Sequence, residues 1–146
     1  MVDNELHEGG CVCGSVRYRT KGSPKRVSLC ACRWCQKRTG SDYGVTVYFE
    51  EKDVEILQGN LRTYRLKSDT DRGVESAFCE VCGTTVTFTM ELREEWRAIT
   101  GGAFDQPTFW YDPEVFIFTR TKSDWVEIPD ELENHETAPY HPSATA

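Results

Sequence analysis

No stretch of this 146-residue chain approaches the roughly 20 apolar residues that a bilayer-crossing helix needs, so no membrane span is expected. A secretory leader is missing too. Residues Met1 to Gly10 read MVDNELHEGG, with neither a basic start nor an apolar core. The product is therefore expected to be cytoplasmic, where thiol buffers keep cysteines reduced. There is no basic excess either, and the net charge of −7 argues against a general nucleic-acid binder. Histidine is scarce: His7, His135 and His141 fall in the terminal stretches and are read as solvated rather than catalytic.

One further absence is local. Between Gly9 and Ser41 there is no acidic residue, yet that stretch carries Arg17, Arg19, Lys21, Lys25, Arg26, Arg33, Lys37 and Arg38. These are eight of the chain's 17 basic residues, which leaves nine against all 24 acidic ones elsewhere. Five of the seven cysteines lie in the same basic block. Two readings of it stand side by side. The cations balance the negative charge of metal–thiolate clusters, or some of them also hold an anionic ligand and lower thiol pKa values.

What is present in quantity is cysteine at short spacing. Seven is an odd number, so a closed set of intramolecular disulfides is excluded. The cysteines fall as Cys11-x-Cys13, Cys30-x-Cys32-x-x-Cys35 and Cys79-x-x-Cys82. Such pairs place sulfurs where one cation can be held at about 2.3 Å from each, whereas isolated core cysteines have no reason to cluster this way. A tetrahedral site takes four thiolates and leaves three. Cys30, Cys32 and Cys35 are close enough to share one ion, and the two outer pairs would then meet across the fold. A single multinuclear cluster is the alternative, and it needs bridging thiolates.

The length fits one domain. The hydrophobic share of 38% is ordinary for a folded chain and too high for a disordered one. Apolar residues alternate with period two in short runs, which predicts antiparallel strands: around Val16–Arg19, Gly44–Phe49, Val54–Leu57, Arg62–Leu66, Val74–Phe78, Thr84–Thr89, Arg97–Thr100 and Val115–Phe118. Gly59-Asn60 reads as a hairpin turn. The two helix candidates are one turn after Cys32 and the segment Met90–Glu95. In Phe78-Cys79-Glu80-Val81-Cys82-Gly83 the glycine permits a turn that aims backbone N–H groups at sulfur, and Gly14 after Cys13 serves the same purpose. From His135 the polar, proline-containing run HETAPYHPSATA predicts a mobile tail, giving a folded domain over 1–134 and a tail over 135–146.

At this point the chain resembles the glutathione-dependent formaldehyde-activating enzymes, a family that also includes centromere protein V-like proteins. The resemblance is carried by Gly10-Cys11-Val12-Cys13-Gly14-Ser15-Val16-Arg17-Tyr18, by Cys30-Ala31-Cys32-Arg33-Trp34-Cys35-Gln36-Lys37-Arg38-Thr39-Gly40-Ser41, and by Phe78-Cys79-Glu80-Val81-Cys82-Gly83-Thr84. It continues through Gly102-Ala103-Phe104-Asp105, Pro113 and VFIFTRTKSDWVEI, so that it spans about residues 9–130. One departure is Ala31, where many relatives carry histidine.

The resemblance implies a mainly β fold, an antiparallel zinc-bound β-tent in a single domain with short helical turns. It implies two zinc ions. A structural one would be held by Cys11, Cys13, Cys79 and Cys82, and a labile catalytic one by Cys30, Cys32 and Cys35. The implied activity is a carbon–sulfur lyase-type reaction joining glutathione to formaldehyde, to give S-hydroxymethylglutathione. Zinc with three thiolates is a poor Lewis acid and a better host for a fourth soft ligand such as a substrate thiol. Arg33, Lys37 and Arg38 lie beside the triplet and are candidates for the carboxylates of glutathione. Trp34 reads as core packing or as a pocket wall. The rival functions are a non-catalytic zinc-stabilised binding module, for which the related accessory proteins are a precedent, and a carrier of another small thiol.

Overall fold

The alternating β-branched and aromatic runs become strands, and the strands close into two sheets that share one core. The structure, a computed structural model, describes residues 4–68 and 71–138. A three-stranded sheet has the order β1 (Leu6–Gly10), β2 (Arg17–Lys21), β5 (Val54–Gln58). An eight-stranded sheet runs β11 (Glu133–Asn134), β10 (Val115–Ile117), β3 (Arg26–Cys30), β4 (Gly44–Glu50), β9 (Arg93–Thr100), β8 (Thr85–Met90), β7 (Gly73–Cys79), β6 (Leu61–Lys67). Pairing is mainly antiparallel, as the period-two pattern predicts. The exception is β10, which lies parallel to both β3 and β11.

Register explains which face does what. Val47 of β4 sits opposite Val27 and Ile99, and Ile99 sits opposite Thr87. This row is buried against the small sheet, together with Val16, Tyr18, Phe49 and Phe104. Burying each such side chain stabilises the fold by about 1.5–3 kcal/mol. One residue along, Tyr48 sits opposite Ala98, and Ala98 opposite Phe88. Since side chains alternate across a strand, this row faces the other way. Trp34 from the single α-helix, α1 (Arg33–Thr39), packs on it. The helix is two turns long rather than one. It stops at Gly40, whose left-handed φ of 69° lets its N–H reach the Gln36 carbonyl at 2.8 Å.

Two local expectations are overturned. Gly59-Asn60 does not close a hairpin: β5 pairs with β2 in the small sheet, while β6 pairs with β7 in the large one. Gly59, at φ 92°, carries the chain from one sheet to the other, and a Cβ there would run into the Ser15 carbonyl. A turn dipeptide between two alternating runs marks a reversal but not which sheet the next strand joins. Met90–Glu95 is the β8–β9 hairpin, not a helix, with Met90 opposite Arg93. Its helix-forming glutamates and leucine are overridden by pairing with strands on both sides of β9. The strands β1 and β3 have no signal strong enough to announce them: LHEGG carries two glycines, and RVSLC alternates for only a few residues.

The first residues of the expected tail are bonded to the sheet. His135 N–H donates to the Phe116 carbonyl at 2.9 Å, and the Thr119 N–H donates to the His135 carbonyl at 3.1 Å. Ala138 packs against the Cys30/Cys32/Cys35 region. Residues 139–146, including His141, lie outside the described residues. His7 corrects its solvated reading. Its ring stacks on Trp110 with centroids 3.5 Å apart, and its side chain is 15% exposed. His135 is half-buried and lies 2.6 Å from the Glu133 carboxylate. No helix among the described residues is long and apolar enough to cross a membrane.

Candidate metal centres and the pocket beside them

Two turns of the same design bring the outer cysteine pairs together. Cys11 follows β1, and Gly14, at φ 81°, turns its N–H back to the Cys11 carbonyl at 3.1 Å. Cys79 ends β7, and Gly83, at φ 82°, does the same to the Cys79 carbonyl at 2.9 Å. The N–H groups left over inside each turn point at sulfur. Val16 N–H donates to Cys11 Sγ at 3.2 Å, and Val81 and Cys82 donate to Cys79 Sγ at 3.3 and 3.5 Å. Cys11 Sγ lies 3.6 Å from Cys13 Sγ, which lies 3.8 Å from Cys79 Sγ. Sulfurs at about 2.3 Å from a tetrahedral ion are about 3.8 Å apart. All four sulfurs lie within 4.8 Å of one another, with Cys11 and Cys79 buried and Cys13 and Cys82 exposed. Cys82 has its thiol pulled down to about 5, first by its hydrogen bonds to Thr84.

The second group is local. Cys30 ends β3, Cys32 caps α1 and Cys35 lies in its first turn. The Cys32 sulfur accepts the Cys35 N–H at 3.4 Å, in the place where a serine or aspartate would usually cap. All three cysteines are buried and their sulfurs fall within 4.8 Å of one another. Their thiols pull one another apart. Hydrogen bonds from Cys30 and Cys32, helped by the Arg38 charge, hold Cys35 well below the usual thiol range. The same bonds push Cys30 well above it. Cys32 is drawn down by Cys30 but, through Cys35 and burial, ends pushed up to about 11. Without a cation, Cys35 is thus the readiest of the three to give up its proton. A metal ion supplies the charge that discharges the rest. Both groups are therefore fit to hold metal ions.

The three cations expected beside the triplet separate. Arg33 is exposed and donates to Gln36 Oε1 at 2.6 Å, and Lys37 is exposed. Arg38 alone contacts the cluster: its Nη2 reaches Cys35 Sγ at 3.8 Å, and its guanidinium lies 5.0 Å from the Trp34 ring centre and 5.3 Å from that of Phe88. Its other side lines an open polar cleft of about 520 Å³ with Cys11, Arg17, Thr84 and Asp105. Several members of the basic block are neutralised by carboxylates from elsewhere. Arg17 is bidentate to Asp105, Arg19 reaches Glu8 at 3.0 Å and Lys25 reaches Glu50 at 2.9 Å.

The triplet lines a recessed pocket of about 80 Å³. Trp34 serves both of its readings, since it forms part of this wall and meets Phe88 edge-on at 4.9 Å. Sequence reasoning misses Tyr48, Phe88, Met90, Phe118, Ser68 and Arg72, which line it too. Tyr48 and Phe88 sit in runs correctly read as strands, so their face was available from the alternation. Arg72 lies in the turn before β7 and has no pattern to mark it.

Comparison with known proteins agrees with this arrangement. A Halomonas elongata protein named as a candidate glutathione-dependent formaldehyde-activating enzyme is 27% identical over 128 residues, covering 84% of this chain and 81% of its own. A Rhodobacter sphaeroides protein of known crystal structure superposes with a TM-score of 0.54 at 19% identity, over 73% of this chain and 91% of that one, and so shares the fold. The sequence profile described as "Glutathione-dependent formaldehyde-activating enzyme" matches residues 6–121, which takes in both cysteine groups. The chain belongs to the glutathione-dependent formaldehyde-activating enzyme family.

Proposed function

We propose that this protein is a zinc-dependent carbon–sulfur lyase-type enzyme that reversibly joins the glutathione thiol to formaldehyde. The observation that carries the reading is a group of three buried cysteine sulfurs that line a pocket, where a closed structural site would present a fourth protein ligand. Cys11, Cys13, Cys79 and Cys82 would hold a structural zinc, and Cys30, Cys32 and Cys35 a labile catalytic one. Zinc on three thiolates supplies a soft, electron-rich position that favours the thiolate form of a fourth sulfur.

The chain's own residues do the remainder. The pocket walls hold the two reactants together and exclude water, which converts a bimolecular encounter into a positioned one. Arg38, anchored over Trp34 beside Cys35, is placed to attract an anionic thiol, with Arg33 and Lys37 contributing charge from the exposed face of α1. The family supports a cytoplasmic site of action.

The test is zinc stoichiometry with and without glutathione, together with adduct formation from ¹³C-formaldehyde followed by NMR. Two zinc ions per chain and enzyme-accelerated S-hydroxymethylglutathione, lost in Cys35→Ser, are expected. Full acceleration in Cys35→Ser would overturn the assignment of the triplet.

A further inference from the structure

The pocket beside Cys30, Cys32 and Cys35 is larger and less polar than formaldehyde requires. Its volume of about 80 Å³ is well beyond what a single water-sized molecule needs, so it has room for a molecule of several carbons. Trp34, Tyr48, Phe88, Met90, Leu92 and Phe118 form much of its wall, and Arg72 is the one charged side chain among the described residues that line it. Glutathione carries two carboxylates and an ammonium group. Arg72 can answer at most one of those carboxylates, and placing the remaining charges against this wall would cost several kcal/mol per unpaired charge. Beyond the thiol itself, the space therefore belongs to the carbonyl partner. Part of the wall is Ala138, carried by the segment that runs along β10 and lies outside the family-matched stretch 6–121.

We propose that this pocket takes an aldehyde with an apolar body of about four to six carbons, so that such aldehydes are better substrates than the one-carbon or two-carbon ones. The proposal rests on the thiol–aldehyde reading given above. In the step, the sulfur lone pair forms the S–C bond to the carbonyl carbon. The C=O π pair moves onto oxygen, which takes up the proton released by the thiol. The product is a hemithioacetal, and neither oxidant nor reductant is consumed.

Acetaldehyde and 3-methylbutanal, close in electrophilicity and differing by three carbons, decide the matter when each is offered with glutathione to the zinc-loaded protein. KM for 3-methylbutanal is expected to be lower by about tenfold or more, the scale of discrimination a pocket makes per methylene. Leu92→Trp and Ala138→Trp fill the pocket from separate segments, and each should bring that ratio toward one. Equal or higher KM for 3-methylbutanal in the wild type overturns the proposal, as does a ratio that neither variant moves. Saturation-transfer NMR with the unreactive 3-methylbutan-1-ol separates pocket from chemistry. Binding that is lost in Leu92→Trp supports the pocket assignment even if no aldehyde gives an adduct, an outcome that would sink the reaction instead. Absence of binding to the wild type overturns the assignment.

Discussion

The two cysteine groups differ in almost everything except their ligand atoms. The four-cysteine group draws sulfurs from positions 66 residues apart, so closing it ties the strand β1 of the small sheet to the end of β7 in the large one. Half of it is exposed, and its two buried sulfurs, of Cys11 and Cys79, accept backbone N–H groups from the two glycine turns. The three-cysteine group occupies six residues of chain, is wholly buried, and opens on a cavity. One arrangement holds distant chain together at the surface. The other organises a small interior space and joins nothing that β3 and α1 do not already join.

The sharpest way to break the comparison is to remove one ligand from each. Cys79→Ser or Cys82→Ser should abolish most of the folding free energy, which for a domain is about 5–15 kcal/mol and in such sites is largely metal-binding energy. Insoluble or unfolded protein by circular dichroism is expected, while Cys35→Ser should stay folded and lose adduct formation. Similar melting of the two variants would erase the distinction.

Chelation comes next in size. A mild chelator should extract metal from the triplet first, with the tertiary circular dichroism signal retained until the second equivalent leaves. Cobalt-substituted protein followed by its thiolate absorption makes the order visible. Simultaneous loss of both would count against one site being open.

Arg38→Ala should weaken use of glutathione by about tenfold at low salt, the low end of a charge-assisted contact, because the side chain is only half-buried. A neutral thiol of similar size should be much less affected, and the difference should narrow at high salt. An equal loss for both thiols would assign Arg38 to the thiolate of Cys35 rather than to substrate.

The smallest effect is one of pH on the metal-free protein. Cys35 is held below the ordinary thiol value and Cys30 above it. Of the two, Cys35 is therefore the one that ionises first as pH rises. The stabilisation linked to Cys35 is complete above the unfolded thiol value of 9.0 and is lost as pH falls through its lower folded value. Alkylation by iodoacetamide, read by mass spectrometry as pH is raised, should label Cys35 before Cys30. The reverse order would contradict the hydrogen-bond pattern inside the trio.

The cysteine spacing made the sulfurs within each short run legible in the sequence, because C-x-C and C-x-x-C are short enough for local chain geometry to bring them together. The meeting of the two outer pairs across the fold followed only from counting four ligands against three. The strand runs were legible for the same reason of local period. What escaped is what depends on distant partners. Gly59-Asn60 looks the same whether the chain doubles back or changes sheets, and the glutamates of Met90–Glu95 favour a helix until β4 and β8 claim β9. Arg33, Lys37 and Arg38 are neighbours in sequence, but the helix points them differently, and only Arg38 reaches sulfur. Arg72 comes to the pocket from the β6–β7 turn, a placement that no spacing near the triplet encodes.

The parallel pairing of β10 with β3 sets the order in which a nascent chain can finish its pocket. Val115 must be made before it can lie beside Ser28, and Ile117 before it can close over Cys30. During synthesis, at roughly 5–20 residues per second, the triplet therefore stands unroofed for roughly 4–16 s after Cys35 is made. Its three sulfurs are already within a six-residue reach of one another. An ion could be captured at that stage by the growing chain, ahead of the wall that later restricts access, whereas the four-cysteine group has no complete ligand set until Cys82 has been added.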